Sequence, residues 1–419
     1  MTSDECAVPF PSIPEKTAPT HLLFLANWAL AAQNGGMLLP RPTDVEKVRW
    51  LMESNPVVAL LGARQVGKTT LARFISDEQT HWFDLEDSRA LARLDDPLLA
   101  LEPLRGVVVI DEIQLRSEIF PSLRVLADRP GTPARFLILG SASPDLLRQG
   151  SQSLAGRMAF HELGPLALDE VGVEQLDTLW LRGGFPRSFL AKSDARSMSW
   201  RKNFIRTFVE RDVPRLGFIL PARTLERFWT MVAHNHGQLL NSSALGRSLG
   251  VAHTTVRRYA DLLSGAFLLR QLRPWHANVA KRQIKTSKIF IMDTGLLHGL
   301  LGLDSLDDLL SHPICGPSWE GFAMRQVVRR LGAGERECYF WATRGGAELD
   351  LLVVRGNRRI GFEFKRTAAP RRTKSMAIAL ETLQLDSLHV IYPGRESWPM
   401  TQRLWATGLS KIWADLAPL

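Results

Sequence analysis

The segment Gly62–Thr69 has the residue types and spacing that bind the phosphates of a nucleotide. It reads Gly-Ala-Arg-Gln-Val-Gly-Lys-Thr and satisfies the pattern G-x-x-x-x-G-K-[ST] at every fixed position. The two glycines let the loop curl with its backbone N–H groups inward, and the start of the following helix favours bound phosphate. Lys68 is predicted to contact the β- and γ-phosphates of ATP, and Thr69 to hold Mg²⁺. The candidate nucleotide-binding residues here are Gly62, Gln65, Gly67, Lys68, Thr69 and Thr70.

Acidic and hydroxyl side chains follow two further apolar runs that have the length of buried strands. Val107–Ile110 is followed by Asp111 and Glu112, and Phe136–Leu139 by a glycine and Ser141. The carboxyl ends of parallel strands meet at one edge of a sheet, where α/β proteins bind their ligands. We therefore expect Asp111 to position Mg²⁺, Glu112 to polarise the attacking water and Ser141 to sense the γ-phosphate. For Ser141, a role confined to the turn is the alternative.

A second group of acids lies near the C-terminus, on a predicted β-hairpin. A two-residue turn at Gly356-Asn357 places Asp350 opposite Glu363, with Lys365 two residues further along the same face. A facing carboxylate pair with a nearby lysine can hold Mg²⁺ and orient a water for phosphodiester attack. An exposed, salt-bridged hairpin is the alternative, but directly opposed acids repel unless a cation lies between them, which favours a metal site. The two strands are predicted over 348–354 and 359–365.

Residues 244–275 have the pattern of a helix-turn-helix followed by a strand. The helices are predicted over Ala244–Leu249 and His253–Phe267, and Leu268–Trp275 is predicted to be the strand of a wing. The second helix carries polar residues at its start and outer face, as a recognition helix does. A protein–protein adapter is the alternative. With the basic stretch that follows, the candidate nucleic-acid contacts are Thr254, Thr255, Arg257, Arg258, Lys281 and Arg282.

Length and composition restrict the class of protein. At about 100–200 residues per domain, 419 residues predict two to four domains. Hydrophobic residues make up 45% and charged residues 23%, which excludes wholesale disorder, collagen and coiled-coil arrays. No apolar run approaches the roughly 18 residues of a membrane-spanning helix, and three distant cysteines give neither a disulfide framework nor a metal site. We expect a cytoplasmic protein without a membrane partner, whose net charge of +9, concentrated in clusters, favours nucleic acid.

The motifs and their order resemble a family of prokaryotic AAA-type P-loop ATPases that carry a C-terminal domain catalogued as DUF4143. The resemblance implies an AAA-type fold with ATP and Mg²⁺ as cofactors. It also implies that Arg157 faces the γ-phosphate. If Arg157 acts in its own chain a monomer suffices, whereas a finger acting on a neighbouring copy needs a dimer or a ring. The matching segments are 62–71, 111–114, 139–143, 153–157, 183–186 and 208–212.

The order Asp350…Glu363-x-Lys365 resembles the core of PD-(D/E)xK nucleases, with a leucine where the name has proline. An upstream helix, predicted over Trp319–Leu331, would supply Glu320 as the additional acid that such cores often carry. The resemblance implies a small α/β domain in which Glu320, Asp350 and Glu363 are metal ligands and Asp350, Glu363 and Lys365 are catalytic. Whether the domain cleaves is left open, because the residues of a site do not fix its activity.

We therefore predict an α/β protein in which a P-loop NTPase domain with a parallel sheet precedes a helical lid, a winged-helix module and a nuclease-like domain. It would bind and hydrolyse Mg-ATP and act on nucleic acid, DNA rather than RNA, with nucleotide-dependent movement of the lid repositioning the later modules. The alternative is a nucleotide-gated regulator that holds nucleic acid or protein and never cuts. The predicted boundaries are 1–40 (N-terminal extension), 41–165 (AAA-type ATPase core), 166–235 (helical lid), 236–302 (winged-helix-like) and 303–419 (nuclease-like).

Overall fold

The computed structural model describes residues 39–131, 133–141, 154–215, 218, 220–275 and 286–419. Two of the predicted nucleic-acid contacts, Lys281 and Arg282, lie outside these residues, as does nearly all of the predicted extension 1–40. Among the described helices, none is both long and apolar enough to cross a membrane.

A sheet of five parallel strands carries the P-loop segment. Its strands are β1 Val57–Leu61, β2 His81–Asp84, β3 Gly106–Asp111, β4 Ala134–Gly140 and β5 Met158–Glu162, and its helices are α1 Pro42–Ser54, α2 Lys68–Ile75, α3 Ser88–Arg93, α4 Pro97–Leu101 and α5 Phe120–Ala127. The strand order is β2-β3-β4-β1-β5. Every residue of β1 is buried, as expected of an apolar run covered on both faces of a parallel sheet. The two strands predicted from the apolar runs Val107–Ile110 and Phe136–Leu139 are β3 and β4, so this part of the prediction is confirmed.

Short helices fill the middle of the chain. They are α6 Leu168–Val171, α7 Leu176–Arg182, α8 Pro186–Phe189, α9 Asp194–Thr207, α10 Val213–Arg215, α11 Ala222–His234, α12 Ser242–Leu249 and α13 His253–Gly265. Between α9 and α10 the chain forms one π-helical turn over Phe208–Asp212. Aromatic rings hold this region together: Phe204 packs on Phe185 and Phe208, and Phe208 packs edge-on against Trp229.

The C-terminal part is built on a mixed sheet of eight strands. Its strands are β6 Leu269–Pro274, β7 Lys288–Ile291, β8 Cys338–Ala342, β9 Glu348–Arg355, β10 Arg358–Phe364, β11 Ser387–Tyr392, β12 Trp398–Pro399 and β13 Leu404–Gly408, and its helices are α14 Thr294–Leu301, α15 Leu306–Ser311, α16 Cys315–Leu331, α17 Lys374–Thr382 and α18 Ile412–Asp415. The order is β12-β13-β11-β10-β9-β8-β6-β7. The α/β class and the succession of a parallel sheet, a helical region and a mixed sheet are therefore established.

The strand predicted as the wing of a winged helix does not belong to a separate module. Strand β6 forms an antiparallel pair with β7, but it also pairs in parallel with β8, where Arg273 lies opposite Tyr339. The hairpin is thereby the outer end of the C-terminal sheet, and the apolar Leu269 and Leu272 are buried. The prediction of a separate winged-helix module is wrong in this respect, because local pattern gives the strand but not its distant partner, β8.

Candidate nucleotide site and a second acidic site

The loop after β1 has the strained, glycine-dependent backbone of a phosphate cradle. Gly62 and Gly67 have φ of 154° and 107°, and Gln65 lies in the left-handed region with φ of 63°. A Cβ at Gly62 would clash with the carbonyl oxygen of Leu163, so this position accepts only glycine. The Nζ of Lys68, at the start of α2, donates hydrogen bonds to the carbonyl oxygens of Gly62 (2.9 Å) and Ala63 (3.1 Å). The backbone of the loop therefore wraps around the side chain of Lys68.

Burial sets the electrostatics of Lys68. Removal from water lowers the pKa of this lysine to about 8, although the charges of Glu112 and Asp111 favour its protonated form. The ammonium thus lies where an anionic phosphate oxygen would restore the favourable interaction that burial has removed.

Thr69 and Asp111 meet at the carboxyl edge of the sheet. The hydroxyl of Thr69 donates to Asp111 Oδ2 at 2.7 Å, and the other oxygen, Oδ1, accepts the backbone N–H of Glu112 at 2.9 Å. Burial raises the pKa of Asp111 above its usual value, which a nearby divalent cation would counteract. A hydroxyl and a carboxylate are oxygen ligands of the kind that Mg²⁺ prefers, so these two residues fit the ion they were predicted to hold.

Glu112 is held in place by two neighbours. The hydroxyl of Ser141, just after β4, donates to Glu112 Oε2 at 2.7 Å. The side-chain amide of Gln114 donates to the same oxygen and, at 3.0 Å, to Ser141 Oγ. Glu112 itself has a left-handed backbone with φ of 55°, which turns its side chain away from the line of β3. Ser141 therefore contacts Glu112, the acid predicted to polarise the attacking water. Gln114, which contacts both residues, was not predicted from the sequence as part of the site.

The nucleotide cleft is closed on one side by the helical region. An open cleft of about 1150 Å³ runs along residues 64–71, and Glu112 reaches into it. Pro186, Arg187, Lys192 and Trp200, from the helical region, line the same cleft, and we call this part of its lining the far wall. Arg187 and Lys192 thus add two cations to a lining that already holds Arg41, Arg64 and Lys68.

The acids predicted on the C-terminal hairpin come together as expected. Strands β9 and β10 pair in the predicted register, with Arg355 opposite Arg358 and Leu351 opposite Phe362. Asp350 Oδ2 accepts the backbone N–H of Phe364 at 3.0 Å and lies 3.5 Å from Lys365 Nζ, which lies 2.7 Å from Glu363 Oε2. The site is deeply buried, since Asp350 is 4% exposed and Glu363 is 3% exposed.

Glu320, on α16, joins the same acids. Burial, followed by the charge of Asp350, raises the pKa of both Glu320 and Glu363 to about 8. Glu320 Oε1 and Glu363 Oε1 are buried without a hydrogen-bond partner. Within the described ranges, no three His, Cys, Asp or Glu side chains already have a geometry that could hold a metal ion. The orphaned oxygens nevertheless fit a divalent cation, because they are hard ligands that lack a positive partner at hydrogen-bond distance.

Comparison with known proteins gives the family. Models of an AAA domain, of the domain of unknown function DUF8612 and of the domain of unknown function DUF4143 match residues 54–172, 173–307 and 315–412. Uncharacterized protein Rv2008c of Mycobacterium tuberculosis (strain ATCC 25618 / H37Rv) is 48% identical over 377 residues, which cover 90% of this chain and 85% of that protein. Uncharacterized protein Mb2031c of Mycobacterium bovis shows the same identity and coverage. The chain belongs to this AAA–DUF4143 family.

Solved structures resemble the fold more distantly. The Walker-type ATPase PABY2304 of Pyrococcus abyssi is 15% identical, with a TM-score of 0.46 over 63% of this chain and 96% of that chain. The P-loop NTPase domain of a sigma-54 transport activator from E. coli is 18% identical, with a TM-score of 0.22 over 31% of this chain and 100% of that chain. In the AAA–DUF4143 chain the DUF4143 match covers Glu320 and the acid hairpin, whereas the helix pair α12–α13 lies in the DUF8612 match.

The Gly-Gly-Phe-Pro-Arg motif of the AAA–DUF4143 chain builds the far wall of the cleft. A Cβ at Gly183 would clash with the carboxylate of Asp293, and one at Gly184 would clash with the backbone of Leu166. Asp293 Oδ2 instead accepts the Gly184 N–H at 2.7 Å. The two glycines therefore let the chain pass closely enough to bring Arg187 to the cleft, a role that the motif by itself did not disclose.

Arg157 does not lie at the nucleotide cleft of its own chain. It directly precedes β5, and its carbonyl oxygen accepts the N–H of Val57, at the first residue of β1. It is therefore at the amino edge of the sheet, the full length of β1 away from the cradle, and its guanidinium pairs with Asp128. Of the two possibilities left open for Arg157, contact with the γ-phosphate of its own chain is not the one that the structure has, because the residue directly before β5 lies at the edge of the sheet opposite the phosphate loop. A role in a neighbouring copy stays a prediction.

The described members of the predicted nucleic-acid surface lie at the start of α13. Thr254, Arg257 and Arg258 are exposed, and Thr255 is half-buried. On the apolar side of the same helix, Val256 and Tyr259 are buried, as the helical spacing predicted. The surface is thus available to a partner, and its contact with nucleic acid stays a prediction.

Proposed function

We propose that the chain binds Mg-ATP in the cleft and hydrolyses it. The observation that carries this proposal is the hydrogen bond from Thr69 to Asp111, because it brings the two predicted metal ligands together beside the buried ammonium of Lys68. When bound, Mg²⁺ would neutralise charge on the β- and γ-phosphates. Lys68 would hold the same phosphates, and Glu112, oriented by Ser141, would accept a hydrogen bond from the attacking water.

The cations on the far wall complete this proposal. Arg187 and Lys192 line the cleft, and their positive charge complements a triphosphate that carries several negative charges. They line the cleft of their own chain, where Arg157 does not lie. We therefore assign the cis phosphate contact to Arg187.

Three variants test the ATPase proposal. Lys68→Ala is expected to abolish binding of a fluorescent ATP analogue, and Glu112→Gln is expected to keep binding but to lower phosphate release at least about a hundredfold. Lys411→Ala, at an exposed lysine far along the chain, is the matched control and is expected to behave as the wild type. Unchanged phosphate release by Lys68→Ala would refute the proposal.

A second activity, metal-dependent cleavage of phosphodiesters, is favoured by the acid site. Two buried carboxylate oxygens there lack a hydrogen-bond partner, and the side chain of Lys365, which contacts two of the acids, is 42% accessible. A divalent ion at these acids would activate a water, while Lys365 would face the phosphate under attack. A regulator that binds nucleic acid or protein without cutting remains the alternative function of this module.

Asp350→Asn and Glu348→Gln separate these two functions. Both substitutions remove one negative charge from the same strand, but Asp350 is in the buried acid group and Glu348 is exposed. If the module cleaves, Asp350→Asn is expected to lose Mn²⁺-dependent nicking of DNA and to keep ATPase activity, while Glu348→Gln keeps both. If the wild type cleaves neither DNA nor RNA with ATP and metal present, the regulator is the function.

Nucleic acid is the partner that we propose. Beyond Lys365, the exposed residues Arg366, Arg371, Arg372 and Lys374 form a basic loop directly beside the acid site. Phosphates bound by such residues release counterions, so the affinity for DNA should fall steeply with salt, by a log–log slope of about −0.9 per phosphate contact. A flat salt dependence would contradict phosphate contacts. Weaker binding of RNA than of DNA of the same length is expected, and sedimentation with and without ATP would show whether copies assemble.

A further inference from the structure

A lysine from outside the DUF4143 match reaches the acid site. Lys288, the first residue of β7, places its Nζ 3.9 Å from Glu320 Oε1 and 4.0 Å from Asp350 Oδ1. Its side chain is 12% exposed. β7 belongs to the DUF8612 match, so the acid site combines residues from two family regions.

Lys288 lies beside one oxygen of each of two acids. Asp350 Oδ2 accepts the Phe364 N–H and contacts Lys365, and Oδ1 is the oxygen that Lys288 approaches. Glu320 Oε1 has no hydrogen-bond partner. At about 4 Å the ammonium is too far for a direct hydrogen bond to either oxygen but close enough to neutralise their charge. It therefore stands on the side of the acids from which a metal ion would bind.

The backbone of Lys288 is fixed by strand pairing and by the hydrogen bonds of its neighbours. The flanking residues Ile289 and Ser287 hydrogen-bond to Gln238 and Leu240, at 2.9 Å each. Strand pairing of β7 with β6 continues through Lys288 itself, opposite Leu272. A change in the position of the ammonium must therefore come from rotation of the lysine side chain.

We propose that Lys288 is a tethered counter-ion of the acid site, and that a divalent cation binds there only by displacing its ammonium from Glu320 and Asp350. Displaced, the ammonium is kept within one side-chain length of the site and faces the phosphate that the metal recruits. This inference rests on the proposed metal-dependent role of the acid site. It predicts that the wild-type chain binds divalent metal weakly when no substrate is present.

The test is a Mn²⁺ titration of the full-length chain without nucleotide, followed by electron paramagnetic resonance. Lys288→Met, which keeps the length of the side chain and removes its charge, is expected to bind Mn²⁺ at least tenfold more tightly than the wild type. Lys288→Arg keeps the charge and should retain the weak affinity. Lys411→Met removes a positive charge from an exposed lysine outside the acid site and the basic loop, and should leave Mn²⁺ affinity unchanged. Equal ATP-analogue binding by all variants shows that they are folded.

A double variant places the metal at the acids. In Lys288→Met/Asp350→Asn the tighter Mn²⁺ site should disappear, because Asp350 supplies one of the oxygens. Mn²⁺ affinity of Lys288→Met equal to or weaker than that of the wild type would overturn the inference, as would a tighter site that survives in the double variant. The proposed nuclease function fails separately: tight Mn²⁺ binding by Lys288→Met without cleavage by any variant would refute cleavage and support the counter-ion.

Discussion

Replacing Arg329 with methionine removes the central cation of a buried ion cluster that joins the DUF4143 region to the AAA domain. The Nε of Arg329, on α16, donates to both carboxylate oxygens of Asp169, at 2.8 and 3.0 Å. The same guanidinium contacts Asp44 at 3.2 Å and Glu170 at 3.4 Å. Arg41 contacts the same Asp44 and Glu170, and its Nη1 lies 3.5 Å from the carbonyl oxygen of Val66 in the phosphate loop. Without Arg329, Arg41 still contacts Asp44 and Glu170 and His161 still contacts Asp44, but Asp169 loses its arginine partner.

The expected cost follows from burial. Removal of one partner from a buried ion cluster destabilises a protein by about 3–5 kcal/mol, because the remaining charges stay out of water. Arg329 and Asp169 are 18% and 16% exposed, which allows some screening and places the expectation near the lower end, about 3 kcal/mol. Methionine retains most of the apolar stem, so the cost comes mainly from the charge.

Urea denaturation followed by tryptophan fluorescence measures this cost. Arg206→Met is the control, because Arg206 forms an exposed pair with Glu210 (74% and 53% accessible) and should cost no more than about 0.5 kcal/mol. Asp44→Asn in the Arg329→Met background should cost less than in the wild type, by at least about 1 kcal/mol, since the two residues belong to one network. A cost for Arg329→Met as small as that of the control would show that the cluster does not join the two regions energetically.

Three further outcomes are expected at the nucleotide cleft. Burial lowers the pKa of Lys68 to about 8, so its ammonium loses its proton as the pH rises through that value. Affinity for an ATP analogue should therefore be constant below pH 8 and should fall above it. A constant affinity up to pH 9.5 would contradict this. Ser141→Ala removes one of the two side-chain hydrogen bonds that hold the Glu112 carboxylate and is expected to lower kcat about tenfold with KM unchanged, whereas a change in KM alone would assign Ser141 to substrate binding. Arg187→Ala should raise the Kd for the ATP analogue about tenfold, and an unchanged Kd would remove Arg187 from the phosphate site.

The parts of the site that sequence predicted correctly are those fixed by local rules. The glycine spacing of the phosphate loop, the acids directly after β3 and the register of the β9–β10 hairpin each depend on neighbours within about 15 residues. The turn at Gly356-Asn357 alone determines that Asp350 and Glu363 share a face, and the structure has that register. Glu320 was found only through the resemblance to nucleases, since nothing in its surrounding sequence distinguishes it from a surface acid on a helix.

The parts that sequence did not predict depend on contacts between distant segments. Arg157 was placed at the phosphates, but the parallel pairing of β5 with β1 puts it at the amino edge of the sheet. The pairing of β6 with β8 likewise converted the expected wing into part of the larger sheet. Lys288 reaches the acids because this same hairpin lies beside β8, which in turn pairs with β9. No periodicity or spacing within a single segment carries that information.

Helix α16 links these distant contacts, because one rigid element serves both sites. It is 17 residues long, or about 25 Å at 1.5 Å per residue. Near its start it presents Glu320 to the acid site. Five residues further along, Arg325 donates to the carbonyl oxygen of Leu166 at 2.6 Å, and Leu166 lines the nucleotide cleft. A shift of the Leu166 segment when the cleft closes on a nucleotide must either break these bonds or carry Glu320 with it, so Mn²⁺ affinity at the acids should differ between the nucleotide-free and ATP-bound chain.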